Sequence, residues 1–380
     1  RHIYAGRHVF AALRADGALV TWGNPARGGD SSSVRDDLRA GVRLACCSGG
    51  ACAAVVGAGG RVVAWGLRDE GGDCGGVLPR LSGVERLYAT ASAFAAVKAD
   101  GTVSAWGDPQ AGGDLAAAAD RLSGAVVRSV AATAKAFAAL TAGGAVVTWG
   151  HPDWGGDCSA VQEQLLDGVR ELRATSGAFA AFRLAGPAVV WGDPAKGGRC
   201  PDEVRELLAG GVADVCGNEG AFAALTRGGA VAAWGAGASG GDCSARAGQL
   251  QAVRQLCASS FAFAAVKDGG QVVAWGRRTH GGDPGPVQDQ LEGVRSVSST
   301  DGAFAALRED GSVVVWGHPL HGGRCPAEAR ERLAGGVTSV HGNGHAFVAV
   351  REDGAVVAWG DRDRGGDATQ ACARLLSVRG

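Results

Sequence analysis

Ala145-Val146-Val147-Thr148-Trp149-Gly150 decides the fold. Its β-branched residues suit an extended strand, and its closing Trp-Gly is where the chain starts to repeat itself. The same pair stands at Trp22, Trp65, Trp106, Trp149, Trp191, Trp234, Trp275, Trp316 and Trp359, separated by 41 to 43 residues. Self-similarity at this period marks solenoids, propellers or arrays, in which each unit hides its apolar face only against its neighbours. Residues 1–380 therefore read as a single repeat domain of nine units of about 42 residues. The ends also match in phase, Leu376-Ser377-Val378-Arg379 stopping where Arg1-His2-Ile3-Tyr4-Ala5 resumes, which fits a ring closed at a unit boundary or a segment of a longer array.

Upstream of the strand lies a tight turn, clearest as Asp16-Gly17, Asp100-Gly101, Asp310-Gly311 and Asp353-Gly354, where Asp-Gly supplies the positive φ values of a hairpin. Before it, Ala178-Phe179-Ala180-Ala181-Phe182 reads as a second strand and Val169 to Ala174 as a first. Downstream, a loop leads to Gly-Gly-Asp and then to a segment such as Ser159 to Leu166, expected to be a short helix. Pro201 and Pro326 suit the first helical position there, with Asp202, Glu203 and Glu328 in the first turn. The expected class is all-β with short helices, three antiparallel strands and one short helix per repeat.

Phe94, Phe137, Phe179, Phe222, Phe263, Phe304 and Phe347, with Phe10, recur in phase between alanines, and Cys52 stands in that place in the second unit. Together with the nine repeated tryptophans they read as the structural core, packing unit against unit.

The order of apolar strand, Asp-Gly turn and Val-Val-x-Trp-Gly resembles the repeat of the regulator-of-chromosome-condensation family. Cys325-Pro326-Ala327-Glu328-Ala329-Arg330 with Gly336-Val337 is similar to its compact bacterial version, as in a propeller-shaped β-lactamase inhibitor protein. The Gly-Gly-Asp variant also resembles tandem repeats of dinoflagellate proteins. The resemblance implies a β-propeller with one blade per unit. Nine units exceed the seven blades the family usually closes, so a closed ring and an open spiral are both compatible with the sequence.

A net charge of -1 leaves no footprint for a nucleic-acid backbone. No apolar run is long enough to span a membrane. The Gly-Gly-Asp carboxylates, Asp30, Asp73, Asp114, Asp157, Asp242, Asp283 and Asp367, are expected to cap or close turns, since one per unit supplies too few oxygens for calcium. Cys74, Cys158, Cys200, Cys243 and Cys325 share one phase and Cys46, Cys216 and Cys257 another, as small buried residues of a reducing interior. Cys46, Cys47 and Cys52 form the one local cluster, fit for a disulfide or a metal. His280, His318, His321, His341 and His345 are read as exposed turn residues.

No catalytic constellation, cofactor motif or metal motif stands out, so the expectation is no enzyme, no cofactor and no metal. The sequence varies most in the four residues between Trp-Gly and Gly-Gly and in the turn between the first two strands. Both fall on one edge of the sheets, whereas the uniform Asp-Gly turns fall on the other. Trp154 at such a tip, with Arg27, Arg68, Arg277, Arg278, Arg362 and Arg364, makes the candidate partner-binding set. The expected function is a non-catalytic scaffold binding a protein partner through the variable loops. The alternative is glycan recognition on the same face. Guanine-nucleotide exchange, which the resemblance adds, fits less well, because units of 41 to 43 residues leave no room for an inserted wedge.

Overall fold

The structure is a computed structural model and describes residues 2–184 and 186–367. The proposed match between the chain ends falls on residues 376–379, outside the described residues. The chain divides into two compact units, one up to Pro194 and one from Ala195. The first holds five three-stranded antiparallel sheets and the second four, each with its strands in sequence order. Every Trp-Gly closes a third strand, every Ala-Phe-Ala-Ala lies in a middle strand, and the expected class is realised.

The middle strand decides the packing. In Ala136–Thr141 the first five residues are buried, so both faces of the strand are covered. Phe137 lies directly opposite Trp149 on the third strand, and their rings stack 5.2 Å apart at 26°. The same stack recurs in every sheet that carries the phenylalanine, at 4.9 to 5.4 Å.

Each stack grips the loop of the preceding repeat. In the first unit the indole Nε1 groups of Trp65, Trp106, Trp149 and Trp191 donate to the carbonyls of Gly28, Gly71, Gly112 and Gly155 at 2.9 to 3.0 Å. In the second, Trp234, Trp275, Trp316 and Trp359 donate to Gly197, Gly240, Gly281 and Gly322 at 2.9 to 3.2 Å. These acceptors are the first glycines of the Gly-Gly pairs, and their identity follows from two constraints. At Gly112 the backbone is left-handed, with φ of 92°, and an added Cβ would stand 2.7 Å from Phe137 Cδ2. Trp22 Nε1 is buried with no hydrogen-bond partner among the described residues.

Three sequence expectations need correction. The Asp-Gly turns put only glycine at positive φ. At Asp100-Gly101 the glycine has φ of 79°, while Asp100 Oδ1 accepts from the Thr102 amide at 2.9 Å, closing an Asx turn. The short helix is α-helical only at Ala119–Leu122, Asp202–Ala209 and Ala327–Arg332 among the described residues, and in other repeats the segment is a 3-10 run such as Ser159–Leu165. Pro201 and Pro326 occupy the N-cap rather than the first helical position, with ψ of 150° and 153°. Their extended backbone turns the chain into the helix.

The cysteine cluster resolves into a disulfide between Cys47 and Cys52, directly opposite each other on the first two strands. Its sulfur takes the place of the missing phenylalanine, since a Cβ on Gly28 would meet Cys52 Sγ at 3.0 Å. The reducing interior expected from the in-phase cysteines does not suit this pair, because disulfides persist in oxidising surroundings. Cys74, Cys158, Cys200 and Cys325 are buried as expected, and burial pushes the Cys200 and Cys325 thiols up to about 11.

Candidate functional site

The tip after each Trp-Gly is a short 3-10 turn closed by a left-handed glycine, as at Pro152–Trp154 followed by Gly155 with φ of 91°. Asparagine or aspartate opens four of these tips, and of these Asn24, Asp108 and Asp361 each accept from the amide two residues on. The frame downstream is equally fixed. Asp30, Asp73, Asp114, Asp157, Asp242 and Asp283 each accept from the amide two residues on at 2.8 to 3.0 Å, the turn closure expected of Gly-Gly-Asp.

A second polar anchor ties seven of the tips to the sheet. In the first unit Ser48, Thr90 and Thr133 donate their hydroxyls to the carbonyls of Glu70, Ala111 and Trp154, the last residue of the tip. In the second, the Ser259 and Thr300 hydroxyls donate to His280 and His321, and the Nδ2 groups of Asn218 and Asn343 donate to Ser239 and Arg364, at 2.7 to 2.9 Å. All seven anchors are buried, and the side-chain oxygens of all but Ser259 also accept from their own turn, as Thr300 Oγ1 does from Ala303 N at 3.0 Å. These residues stand in the turn that the sequence marks as variable. Its identities vary among Ser, Thr and Asn while its task stays constant. The diversity of this edge therefore resides in the tip side chains, whose carbonyl is fixed from below.

The candidate side chains fall into two groups. Arg68, Arg278 and Arg362 project into solvent with side chains 82 to 84% exposed, each paired with the Gly-Gly-Asp carboxylate of its own repeat at 3.1 to 3.3 Å. Such surface pairs contribute little to stability and leave the guanidinium accessible. The others are engaged with the scaffold. Arg27 Nη1 donates to the Gly49 carbonyl at 3.0 Å, Arg277 lies 4.0 Å from the Phe261 ring centre, and Arg364 pairs with Asp361 at 3.5 Å. Trp154 is half-buried against the core around Phe179 and Trp191, with Lys135 Nζ 5.5 Å from its ring centre.

The histidines depart from expectation. His345 is buried, His280, His318 and His321 are half-buried, and the four form one row. Ring centres are 6.1 Å apart from His280 to His318, 4.7 Å from His318 to His321, and 4.8 Å from His321 to His345. Phe261 meets His280 edge-on at 4.9 Å at one end, and Arg364 Nη1 donates to His345 Nε2 at 2.7 Å at the other. His341 lies apart in the first strand Val337–Gly342, its Nε2 3.1 Å from Ser339 Oγ. Burial, then Arg277 and His318, lower the pKa of His280. Burial, then His318, His280 and Arg364, lower that of His321 against a smaller opposing pull from Asp361.

Beside the row, Leu320 is 72% exposed at the tip Pro319–His321, an apolar side chain the sequence gave no reason to single out. In the first unit an open groove between two successive tips is lined by Arg68, Asp69, Glu70, Asp73 and Asp108. Its walls are charged, unlike the mostly apolar lining of small-molecule sites. Among the described residues no group of three or more His, Cys, Asp or Glu is arranged to hold a metal ion, and no helix is long and apolar enough to cross a membrane.

No protein-family profile and no curated protein sequence matches the chain. Solved structures that share its arrangement include the ectodomain of the Physcomitrella patens receptor kinase CR4, at 12% identity and a TM-score of 0.42, covering 94% of this chain and 72% of that one. Prp20p of Saccharomyces cerevisiae, a structure described with its binding to Gsp1p and histones, is 15% identical with a TM-score of 0.39, over 73% and 72% of the two chains. Human WBSCR16 is 16% identical with a TM-score of 0.40, over 85% and 78%. Likenesses this loose carry no argument about what the chain does.

Proposed function

We propose that the chain is a non-catalytic interaction scaffold that binds another protein through the tips on the Trp-Gly edge of its sheets. The observation that carries this reading is the buried Ser, Thr or Asn beneath the tips. It fixes the tip backbone through one hydrogen bond and leaves the side chains above it free to differ, from Trp154 and Leu320 to Arg68, Arg278 and Arg362. A constant frame with interchangeable tips is how binding loops are presented on rigid scaffolds. Exposed arginines supply one of the anchor types that dominate protein interfaces.

Cross-linking of the folded chain to its partner in native extract, followed by mapping of the linked residues, tests the reading. Links are expected at the tips around Arg68, Arg278, Leu320 and Arg362, and Arg278→Glu with Leu320→Ser should abolish capture. Links confined to the Asp-Gly edge would sink the proposal. Glycan recognition on the same edge is the second reading, favoured by the charged groove around Asp69, Asp73 and Asp108. Binding to a glycan array without any cross-linked protein would replace the first reading with the second.

A further inference from the structure

Among the described residues the histidine row is a cluster of titratable side chains that the repeat frame does not use. It runs over the tips of the seventh, eighth and ninth repeats, and all four rings belong to the second unit. Imidazoles with ring centres 4.7 to 6.1 Å apart, two pairs tilted and one edge-on, are compatible with one another while neutral. The Nδ1 atoms of His318 and His321 are buried with no hydrogen-bond partner among the described residues. At the far end a guanidinium, which can only donate, points at His345 Nε2, so that nitrogen accepts.

Charging the row adds positive charge beside arginines and carboxylates of which several already pair with one another. The groups around it are Arg277, Arg278, Asp301, Asp361, Arg362 and Arg364, with Asp363 on the same tip as the last three. Asp361 is engaged by Arg364 and by the Asp363 amide, and Asp283 by Arg278. Arginine therefore flanks the row at both ends, through Arg277 on Phe261 and Arg364 on His345. An extended segment places same-face side chains roughly 6.6 to 6.8 Å apart, close to the 6.1 Å step from His280 to His318.

We propose that this row is a binding site for the clustered carboxylates of an acidic protein segment, occupied when the imidazoles take up protons. The site deepens the scaffold reading, resting on the Trp-Gly edge as the binding face, and makes one part of that face responsive to acidity. Both neighbours of His318 resist protonation through burial and cationic surroundings, so charge enters below the ordinary imidazole range and the bound carboxylates stabilise it. Binding is thereby linked to proton uptake, and affinity rises as pH falls.

The test is fluorescence anisotropy with a rhodamine-labelled six-glutamate peptide and the full chain, at fixed ionic strength with a chelator present, between about pH 7.5 and about pH 5.5. One linked proton strengthens binding by up to about tenfold per pH unit, so a gain of about tenfold or more over this range is expected. His318→Gln with His321→Gln should reduce the gain to roughly that of a nonspecific surface, and His280→Gln should diminish it. His151→Gln, on a tip in the first unit, should leave it unchanged. Circular dichroism at both pH values verifies the fold of each variant. A wild-type affinity independent of pH overturns the proposal, as does a double variant that keeps the full gain, or binding that vanishes with the chelator. If peptide binding behaves as expected while the neutral-pH cross-links fall on the Asp-Gly edge, the scaffold reading fails and the proton-linked site stands.

Discussion

Replacing Gly112 by alanine probes the joint between successive repeats. The new methyl would meet two obstacles. The left-handed backbone, with φ of 92°, costs a residue with a Cβ about 1 to 2 kcal/mol. The Cβ would also lie 2.7 Å from Phe137 Cδ2, an overpacking that costs about 1 to 3 kcal/mol. The single variant is therefore expected to lose about 2 to 5 kcal/mol. Phe137→Ala alone should lose about 3 to 5 kcal/mol, the usual consequence of emptying a fully buried aromatic site. In the double variant the ring is gone and the overpacking with it, whereas the backbone strain stays. The loss should then fall short of the sum by about 1 to 3 kcal/mol. Equilibrium urea unfolding of the four proteins by far-UV circular dichroism, with coincident m-values, measures the cycle. Losses that add within about 0.5 kcal/mol would mean that ring and glycine do not meet, and the account of the joint would be refuted.

Three further outcomes follow from the same packing. Trp191→Ala should lose about 3 to 5 kcal/mol, because it empties a buried aromatic site and strips the Gly155 carbonyl of its donor, and an unchanged urea midpoint would show the indole to be exposed. Ala252, with φ of 54°, is the only non-glycine residue at positive φ among the described residues, at the place where Gly41, Gly168 and Gly336 stand in other repeats. Ala252→Gly should therefore raise the melting temperature, relief of about 1 to 2 kcal/mol of strain outweighing the added freedom of the unfolded chain; a lower temperature contradicts it. Hydrogen bonds from the Ser312 hydroxyl and amide lower the pKa of Asp310. Its folded value lies below the unfolded one, so its stabilisation is present above the ordinary carboxylate range and is lost as pH falls through the folded value. Acid unfolding of Asp310→Asn should be flatter than wild type below about pH 4, and parallel curves would contradict the assignment.

What the sequence revealed and what it hid differ in kind. Trp149, Phe137 and the turn at Asp100-Gly101 announce themselves because a strand and its turn are written in adjacent residues. The joint is harder to read. Trp149 meets Gly112, 37 residues earlier, and the period that exposes the tryptophans says nothing about which residue of the previous repeat they hold. Thr133 and Trp154 are 21 residues apart, and the Ser, Thr or Asn at the anchor looks like variation until the shared acceptor is known. The histidines show the limit most clearly. His280 and His321 both end their tips, whereas His318 opens one and His345 stands in the turn before a middle strand, so alignment by phase groups only two of the four, while the fold brings all four side by side. Trp154, off the repeat phase at a tip, leans on the core in space, a contact that its sequence position leaves open.

The joint also governs how such a chain can change its length. The receiving half, a stacked Phe and Trp in every repeat but the second, where Cys52 replaces the ring, and the inserted half, a Gly-Gly bend, are carried on opposite sides of the same tip. Removing or duplicating one whole repeat leaves each remaining receptor facing an insert of the same shape, whereas a deletion of any other size strands one half. Growth and loss in whole repeats, with the tips free to diversify between joints, is therefore the editing that this architecture tolerates.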